Sequence, residues 1–191
     1  MFLDRFILAF IPLLVVIDPI GQVPVYLSLA SNVEAQHRKV AIYHAIGTAF
    51  AVGVAFIFLG QLTFKALGIT VADFQIAGGL ILLSVAMSEL VSSESQPRVA
   101  SKDFGVVPLG LPLIAGPGML TTLLALVDSV GVVITLIALI ANLLIVLLAL
   151  RGAGLLSRLI GVTALRAVSR IVALLLAAIA VNLIRKGWKG Q

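Results

Sequence analysis

The chain has 191 residues, of which 61% are hydrophobic and only 11% are charged, and its formal net charge is +5. Soluble globular domains are about 45–50% apolar and about 25% charged, so this composition excludes an ordinary soluble domain and indicates an integral membrane protein. The basic residues lie between apolar runs and form no stripe with aromatic residues, which argues against a nucleic-acid partner. There is no cysteine and the two histidines are separated, so we expect no metal site and no cofactor.

Apolar runs long enough to cross a bilayer, which takes about 20 helical residues, recur along the chain. The predicted spans are residues 6–30, 40–64, 73–90, 104–127, 132–150 and 167–184. The predicted connections are a polar loop at 32–39, a joint at 65–73, a hydrophilic linker at 91–103, a tight turn at 128–131 and an interfacial connection at 151–166. These runs predict an all-α integral membrane protein with six transmembrane helices.

Two of the predicted spans contain residues that break a membrane helix. The first span is interrupted at Pro12 and again by the motif Asp-Pro-Ile-Gly-Gln-Val-Pro at residues 18–24. The fourth span contains Pro-Leu-Ile-Ala-Gly-Pro-Gly at residues 112–118, after an earlier proline at 108. Proline removes a backbone donor, and an unpaired backbone group in hydrocarbon costs several kcal/mol, so such breaks persist only where protein or water covers them. We therefore expect both breaks at the membrane midplane, facing one shared cavity.

The two halves of the chain, residues 1–90 and residues 104–191, are predicted to be three-helix repeats joined by the linker at 91–103. Gly21 aligns with Gly118 near the breaks, and Lys65 aligns with Arg158 further on. Each half has an odd number of spans, so the second half inserts upside down relative to the first. Inverted repeats whose corresponding helices are broken are the recurring plan of secondary transporters, with the substrate site where the breaks meet.

The distribution of the basic residues predicts the orientation. One side collects the larger group, Arg38, Lys39, Arg98, Lys102, Arg151, Arg158, Arg166 and Arg170. The other side collects the smaller group, Arg5, Lys65, Arg185, Lys186 and Lys189. By the positive-inside rule, the loops at 32–39, 91–103 and 151–166 are cytoplasmic and both termini lie on the opposite, periplasmic side.

A helix broken at midplane offers two kinds of binding group. The N–H groups at the start of the second half-helix attract anions, and the free carbonyls at the end of the first attract cations. Because Asp18 adds a negative charge, we expect a zwitterionic ligand such as an amino acid. The candidate substrate-binding residues lie at the breaks or one turn beyond them: Asp18, Pro19, Gly21, Gln22, Pro24, Gly116, Pro117, Gly118, Thr121 and Thr122. The secondary candidates are polar residues elsewhere in the spans: Glu89, Asn142 and Asn182.

Each of these features also has a purely structural interpretation. Asp18 before a proline is a common helix cap, and a capping residue can also handle substrate or protons. Prolines and glycines at one break alone would suggest only close helix packing, whereas two breaks in corresponding positions favour function. Asn142 is typical of an interhelical hydrogen bond, and Glu89 and Asn182 are expected to face water or lipid headgroups.

The two break motifs, together with Ala-Ile-Ala-Val at residues 178–181, resemble those of the MarC family, and the resemblance covers essentially the whole chain. It implies a six-span protein of the bacterial inner membrane, grouped with transporters of neutral amino acids. The candidate residues named above come from the sequence and not from the resemblance.

The leading functional hypothesis is a secondary transporter of small neutral amino acids or related metabolites that works by alternating access, with ion or proton coupling through Asp18 as an option. No phosphate-binding loop is present, which argues against direct ATP drive. The alternatives are a passive channel whose filter is the pair of breaks, and an intramembrane enzyme. We expect no enzyme, since nothing in the sequence brings Asp18 and Glu89 together. The expected partners are the small-molecule substrate and the lipid bilayer, and the sequence is compatible with a homo-oligomer.

Overall fold

The computed structural model describes residues 2–30, 33–91, 104–160 and 162–189, and these ranges are almost entirely helical. The helices are α1 Phe2–Ile17, α2 Pro19–Leu29, α3 Ala35–Leu67, α4 Val71–Val91, α5 Pro117–Val130, α6 Val132–Ile160 and α7 Val162–Lys189. A stretch with two internal prolines, Gly105–Ile114, precedes α5 and is called the proline segment below. Because these ranges contain no strand, the prediction of an all-α protein is confirmed.

Several parts of the structure are long and apolar enough to cross a membrane. Among the described residues they are Phe2–Leu27, Ala35–Leu67 and Val132–Leu155. The proline segment and α5 pass the same test together as one span bent by 54°. A shorter apolar stretch covers Val71–Ser84. Length and hydropathy thus support three or four spans in the described chain, and the prediction of six spans stays a prediction.

Most predicted connections are shorter than expected. The loop predicted at 32–39 is wrong from Ala35 onward, where α3 begins, and the turn predicted at 128–131 is reduced to Gly131. The connection predicted at 151–166 is helical on both sides of residue 161. Charged residues end an apolar run but do not end the backbone hydrogen bonding, so the helices continue beyond the ends of the apolar runs. They stop at residues such as Gly68, whose φ of 64° lies in the left-handed region. Residues 92–103, most of the predicted linker, lie outside the described residues.

The core surrounds the places where the first and fourth spans are interrupted. Helices α1 and α2 pack against α6, while α3 packs against the proline segment and α5. Helix α4 pairs with α7, and α1 contacts α5. Several of the largest fully buried side chains come from α1, the proline segment and α5: Leu13, Ile17, Leu109, Ile114, Met119 and Leu123. The two interrupted spans therefore contact each other through their buried faces.

Gly78 allows α4 to approach the start of α5. A Cβ atom at Gly78 would overlap the ring of Pro117, whereas a Cβ atom at Gly47 of α3 would meet none of the described atoms within 4 Å. We expect Gly78→Ala to lower the free energy of unfolding by about 1–3 kcal/mol, which is the usual cost of overpacking. The melting temperature of the detergent-purified protein should fall by roughly 2–10 °C.

Gly47→Ala is the matched control for Gly78→Ala, because both glycines lie inside helices. It should leave the melting temperature unchanged or raise it slightly, since alanine has the higher helix propensity. Equal melting temperatures for the two variants would contradict the close contact between α4 and Pro117.

Candidate functional site

The first break is the single residue Asp18, between α1 and α2. Its φ of 48° is in the left-handed region, which aspartate tolerates better than most residues. Its N–H donates to the Leu14 carbonyl at 3.0 Å, and its own carbonyl accepts from the Gln22 N–H at 3.1 Å. Its Oδ1 accepts from the Gly21 N–H at 3.0 Å. Asp18 therefore caps α2, and Pro19 takes the first helical position, where a missing N–H costs little.

This break is narrower than the sequence predicts. The prediction of an interruption at Pro12 is wrong, because Pro12 lies within α1, and the interruption does not extend to Pro24, which lies within α2. A proline inside a helix removes one hydrogen bond, and a membrane helix tolerates this loss where neighbouring groups compensate. Only at Asp18 does the backbone itself leave the helical conformation.

The second break begins in the proline segment. Val107 and Leu111, each of which precedes a proline, have extended backbones, and both Xaa–Pro peptide bonds are cis. The N–H groups of Leu109 and Ala115 donate to the carbonyls five residues earlier, at 3.2 and 2.9 Å. This spacing is wider than that of an α-helix. The segment thus keeps part of its backbone hydrogen bonding without being a regular helix.

Helix α5 starts at this second break with no side chain to cap it. Its N-cap residue is Gly116, with φ −85° and ψ 172°, and Pro117 follows at the first helical position. Both residues are buried. The first N–H groups of a helix carry partial positive charge, so the start of α5 is an uncapped positive end inside the protein. The start of α2 differs, because the Asp18 carboxylate occupies it.

The two breaks touch each other, and Gln22 of α2 bridges them. Its Nε2 donates to the Ile17 carbonyl at the end of α1 and to the Leu113 carbonyl in the proline segment, both at 3.2 Å. Gln22 is only 8% exposed, and its Oε1 is buried and has no hydrogen-bond partner among the described residues. A Cβ atom at Gly118 would lie 2.8 Å from Val16 Cγ1, which places the start of α5 against the end of α1.

Comparison with known proteins identifies the family. The family model for MarC family integral membrane proteins matches residues 3–191. The chain belongs to the MarC family. The resemblance drawn from the break motifs is thereby confirmed.

Relatives of this MarC protein have similar length. It is 30% identical to a UPF0056 membrane protein of Methanocaldococcus jannaschii, over 98% of both chains. It is 29% identical to the UPF0056 membrane protein YvbG of Bacillus subtilis, over 95% of this chain and 93% of the relative. It is also 29% identical to YhcE of Escherichia coli, over 95% and 90%. No solved structure matches the chain.

Two threonines of this MarC protein lie one turn past the second break. The hydroxyl groups of Thr121 and Thr122 donate to the Gly118 carbonyl at 3.2 and 2.8 Å. Both side chains are half-buried. Their donors are thus already used within α5, and their oxygens keep acceptor capacity.

Two of the secondary candidates, Asn142 and Asn182, form hydrogen bonds that do not involve Gln22. Asn142 of α6 is fully buried, and its Nδ2 donates to the Phe10 carbonyl of α1 at 3.2 Å and to the Ala138 carbonyl at 2.9 Å. This is the interhelical hydrogen bond expected from the sequence. Asn182 accepts a hydrogen bond from exposed Arg185 at 3.2 Å, near the end of α7. The side chain of Glu89 lies outside the described residues.

Sequence reasoning for the MarC chain missed the role of the Gln22 side chain as a bridge. Its partner is the backbone carbonyl of Leu113, which any residue type would present, so no residue pattern marks it. Sequence reasoning also missed the bond from Gln61 Nε2 to the Asp128 carboxylate, at 2.9 and 3.2 Å, which joins α3 to α5 on the exposed surface. The assignment of the remaining candidates to substrate binding stays a prediction.

A shallow groove of about 290 Å³ lies elsewhere on the MarC protein, between α3 and the proline segment. None of the candidate residues contributes to it; its lining residues are Tyr43, His44, Gly47, Thr48 and Val106. The Arg151 guanidinium group lies 5.2 Å from the centre of the Tyr43 ring and donates a hydrogen bond to the Tyr43 hydroxyl. The groove therefore borders the proline segment, where the second break begins.

Proposed function

We propose that this MarC-family protein is a secondary transporter of small neutral amino acids or related small metabolites that works by alternating access, and is not an enzyme. The main support is the direct contact between the two helix breaks, bridged by a buried carboxamide. Broken spans that meet inside a bundle expose backbone groups that can bind a polar ligand away from lipid.

The helix contacts support an inverted repeat of three spans in each half. Helices α1 and α2 of the first broken span pack against α6, and correspondingly the proline segment and α5 of the second pack against α3. Helix α7 contacts α2, and correspondingly α4 contacts α5. Each of these contacts therefore has a counterpart, formed by the corresponding elements of the opposite halves. In such transporters one repeat or bundle moves against the other and exposes a fixed site to each side of the membrane in turn.

The charges at the breaks favour a zwitterion as the substrate. The uncapped start of α5 at Gly116 offers partial positive charge to a carboxylate. The exposed Asp18 carboxylate and the unpaired Gln22 Oε1 offer acceptors to an ammonium group. A small amino acid carries both groups within a few ångströms. We further propose the bacterial inner membrane as the location, with both termini on the periplasmic side.

Uptake of radiolabelled amino acids into proteoliposomes that contain the purified protein tests this function. We expect saturable uptake of glycine or alanine above protein-free liposomes, and accumulation against a concentration gradient when an ion gradient is imposed. Uptake that neither saturates nor accumulates would favour a passive channel. No uptake of any member of a broad amino acid panel would contradict the proposed substrate class.

A further inference from the structure

The Gln22 side chain has one polar atom left to bind a ligand. A carboxamide has two N–H donors and one oxygen acceptor, and Nε2 of Gln22 already donates to the carbonyls of Ile17 and Leu113. Reversing the amide would set its oxygen against two carbonyl oxygens, so these contacts fix its orientation. The oxygen, Oε1, is left buried, and no residue in the described part of the chain pairs with it.

Three donors on residues beside the two breaks are already engaged. The hydroxyl groups of Thr121 and Thr122 donate to the Gly118 carbonyl. The Gly21 N–H donates to Asp18 Oδ1. Since buried acceptors in folded proteins are nearly always paired, we expect Oε1 to take a donor that the described residues do not supply in this conformation.

We propose that Gln22 Oε1 accepts a hydrogen bond from an N–H of the ligand's ammonium group, so that Gln22 is the residue that selects amines with at least one N–H. This inference rests on the proposed function and specifies the substrate group that the site recognises. The ligand's carboxylate then lies toward the uncapped start of α5, because the Leu113 carbonyl that Gln22 binds is only three residues before Gly116. A ligand that pairs Oε1 also favours the conformation in which the two breaks are in contact.

Binding of glycine and its N-methylated derivatives to the purified protein tests this proposal. Glycine, N-methylglycine and N,N-dimethylglycine all keep an N–H donor, whereas N,N,N-trimethylglycine keeps the positive charge and has none. We expect the loss of affinity to be concentrated in the last methylation step, by at least about tenfold, since hydrogen bonds to charged groups are the strong ones. The affinities are measured by displacement of radiolabelled glycine, which does not depend on transport.

Two glutamine variants separate this hydrogen bond from crowding by the methyl groups. Gln22→Met removes the carboxamide at similar volume. In this variant the loss of affinity at the last methylation should be no larger than the losses at the earlier ones. Gln61→Met is the matched control, because Gln61 is exposed and bonds only to Asp128 among the described residues; it should keep the wild-type step.

Each outcome decides the proposal. A gradual loss of affinity over all three methylations in the wild type would overturn the proposal. A loss at the last methylation that is as large in Gln22→Met as in the wild type would also overturn it. Either result would mean that only a water binds Oε1. The wild-type series alone decides the matter if Gln22→Met does not fold. Glycine binding without the final step would overturn this inference while the proposed transport function stands. Binding of none of the four compounds would overturn this inference, and uptake of the amino acid panel then decides the proposed function separately.

Discussion

Replacing Asp18 with alanine is expected to lower the free energy of unfolding by about 2–3 kcal/mol, whereas replacing it with asparagine should cost less than about 0.5 kcal/mol. Alanine cannot accept the hydrogen bond from the Gly21 N–H. The loss of such an N-cap bond costs about 1 kcal/mol. Alanine also disfavours the left-handed backbone at φ 48°, by about 1–2 kcal/mol. Asparagine caps as well as aspartate does and adopts this conformation readily. Thermal unfolding of the purified variants measures the difference.

The same pair of variants separates the cap from the charge. Because Asp18→Asn keeps the structure and removes only the negative charge, uptake in proteoliposomes should fall at least about tenfold if the carboxylate binds substrate or a coupling ion. Asp128→Asn is the control for removing a carboxylate, since Asp128 is exposed and bonds to Gln61; its uptake should stay within about twofold. Wild-type uptake by Asp18→Asn would show that Asp18 is a cap without a role in transport.

The breaks themselves can be predicted from the sequence, because proline and glycine act through the backbone locally. The backbone leaves the regular helix at Val107 and Leu111, each of which precedes a proline, and Gly116 and Pro117 take the N-cap and first positions of α5. The width of the first break cannot be predicted in this way. Pro12 and Pro24 each remove one hydrogen bond, and whether the helix then ends depends on what packs around it.

The contact between the breaks follows from the tertiary structure alone. Gln22 and Leu113 are 91 residues apart, and only the packing of the two halves brings the carboxamide to that carbonyl. The sequence does indicate that the two regions are related, because Gly21 aligns with Gly118 and each region contains helix-breaking prolines. It does not indicate which side chain bridges them or which of its atoms stays unpaired.

The ends of the spans were predicted less well than their centres. Hydropathy locates the part of a helix that lies in hydrocarbon, but α3 and α6 continue beyond it as hydrogen-bonded helix. Residues such as Lys39 and Arg151 interrupt the apolar run and still have good helix propensity. Backbone signals, such as the left-handed conformation at Gly68, mark the ends more accurately than charge does.

A disulfide between the two breaks is expected to stop transport reversibly. A Cβ atom at Gly118 would lie 2.8 Å from Val16 Cγ1, and in a disulfide the two Cβ atoms lie about 3.5–4.5 Å apart. Val16→Cys combined with Gly118→Cys should therefore cross-link under a membrane-permeant oxidant. The chain has no cysteine of its own, so the introduced pair reacts alone. Because the bond ties the end of α1 to the start of α5 across the proposed site, uptake should fall to background and return on reduction.

The control pair combines Gly118→Cys with Gly47→Cys, since an added Cβ atom at Gly47 has no described neighbour, Gly118 included, within 4 Å. This pair should not cross-link within the molecule, and its uptake should not respond to the oxidant.

The measurement that tests the central claim most directly is this cross-linking of the Val16→Cys, Gly118→Cys protein in lipid bilayers, followed by uptake before and after reduction. Contact between the two breaks at a ligand site predicts a rapid intramolecular disulfide and a block that reduction removes. Failure of the pair to cross-link faster than the control pair would contradict the contact between the breaks, and full uptake by the cross-linked protein would contradict their role in transport.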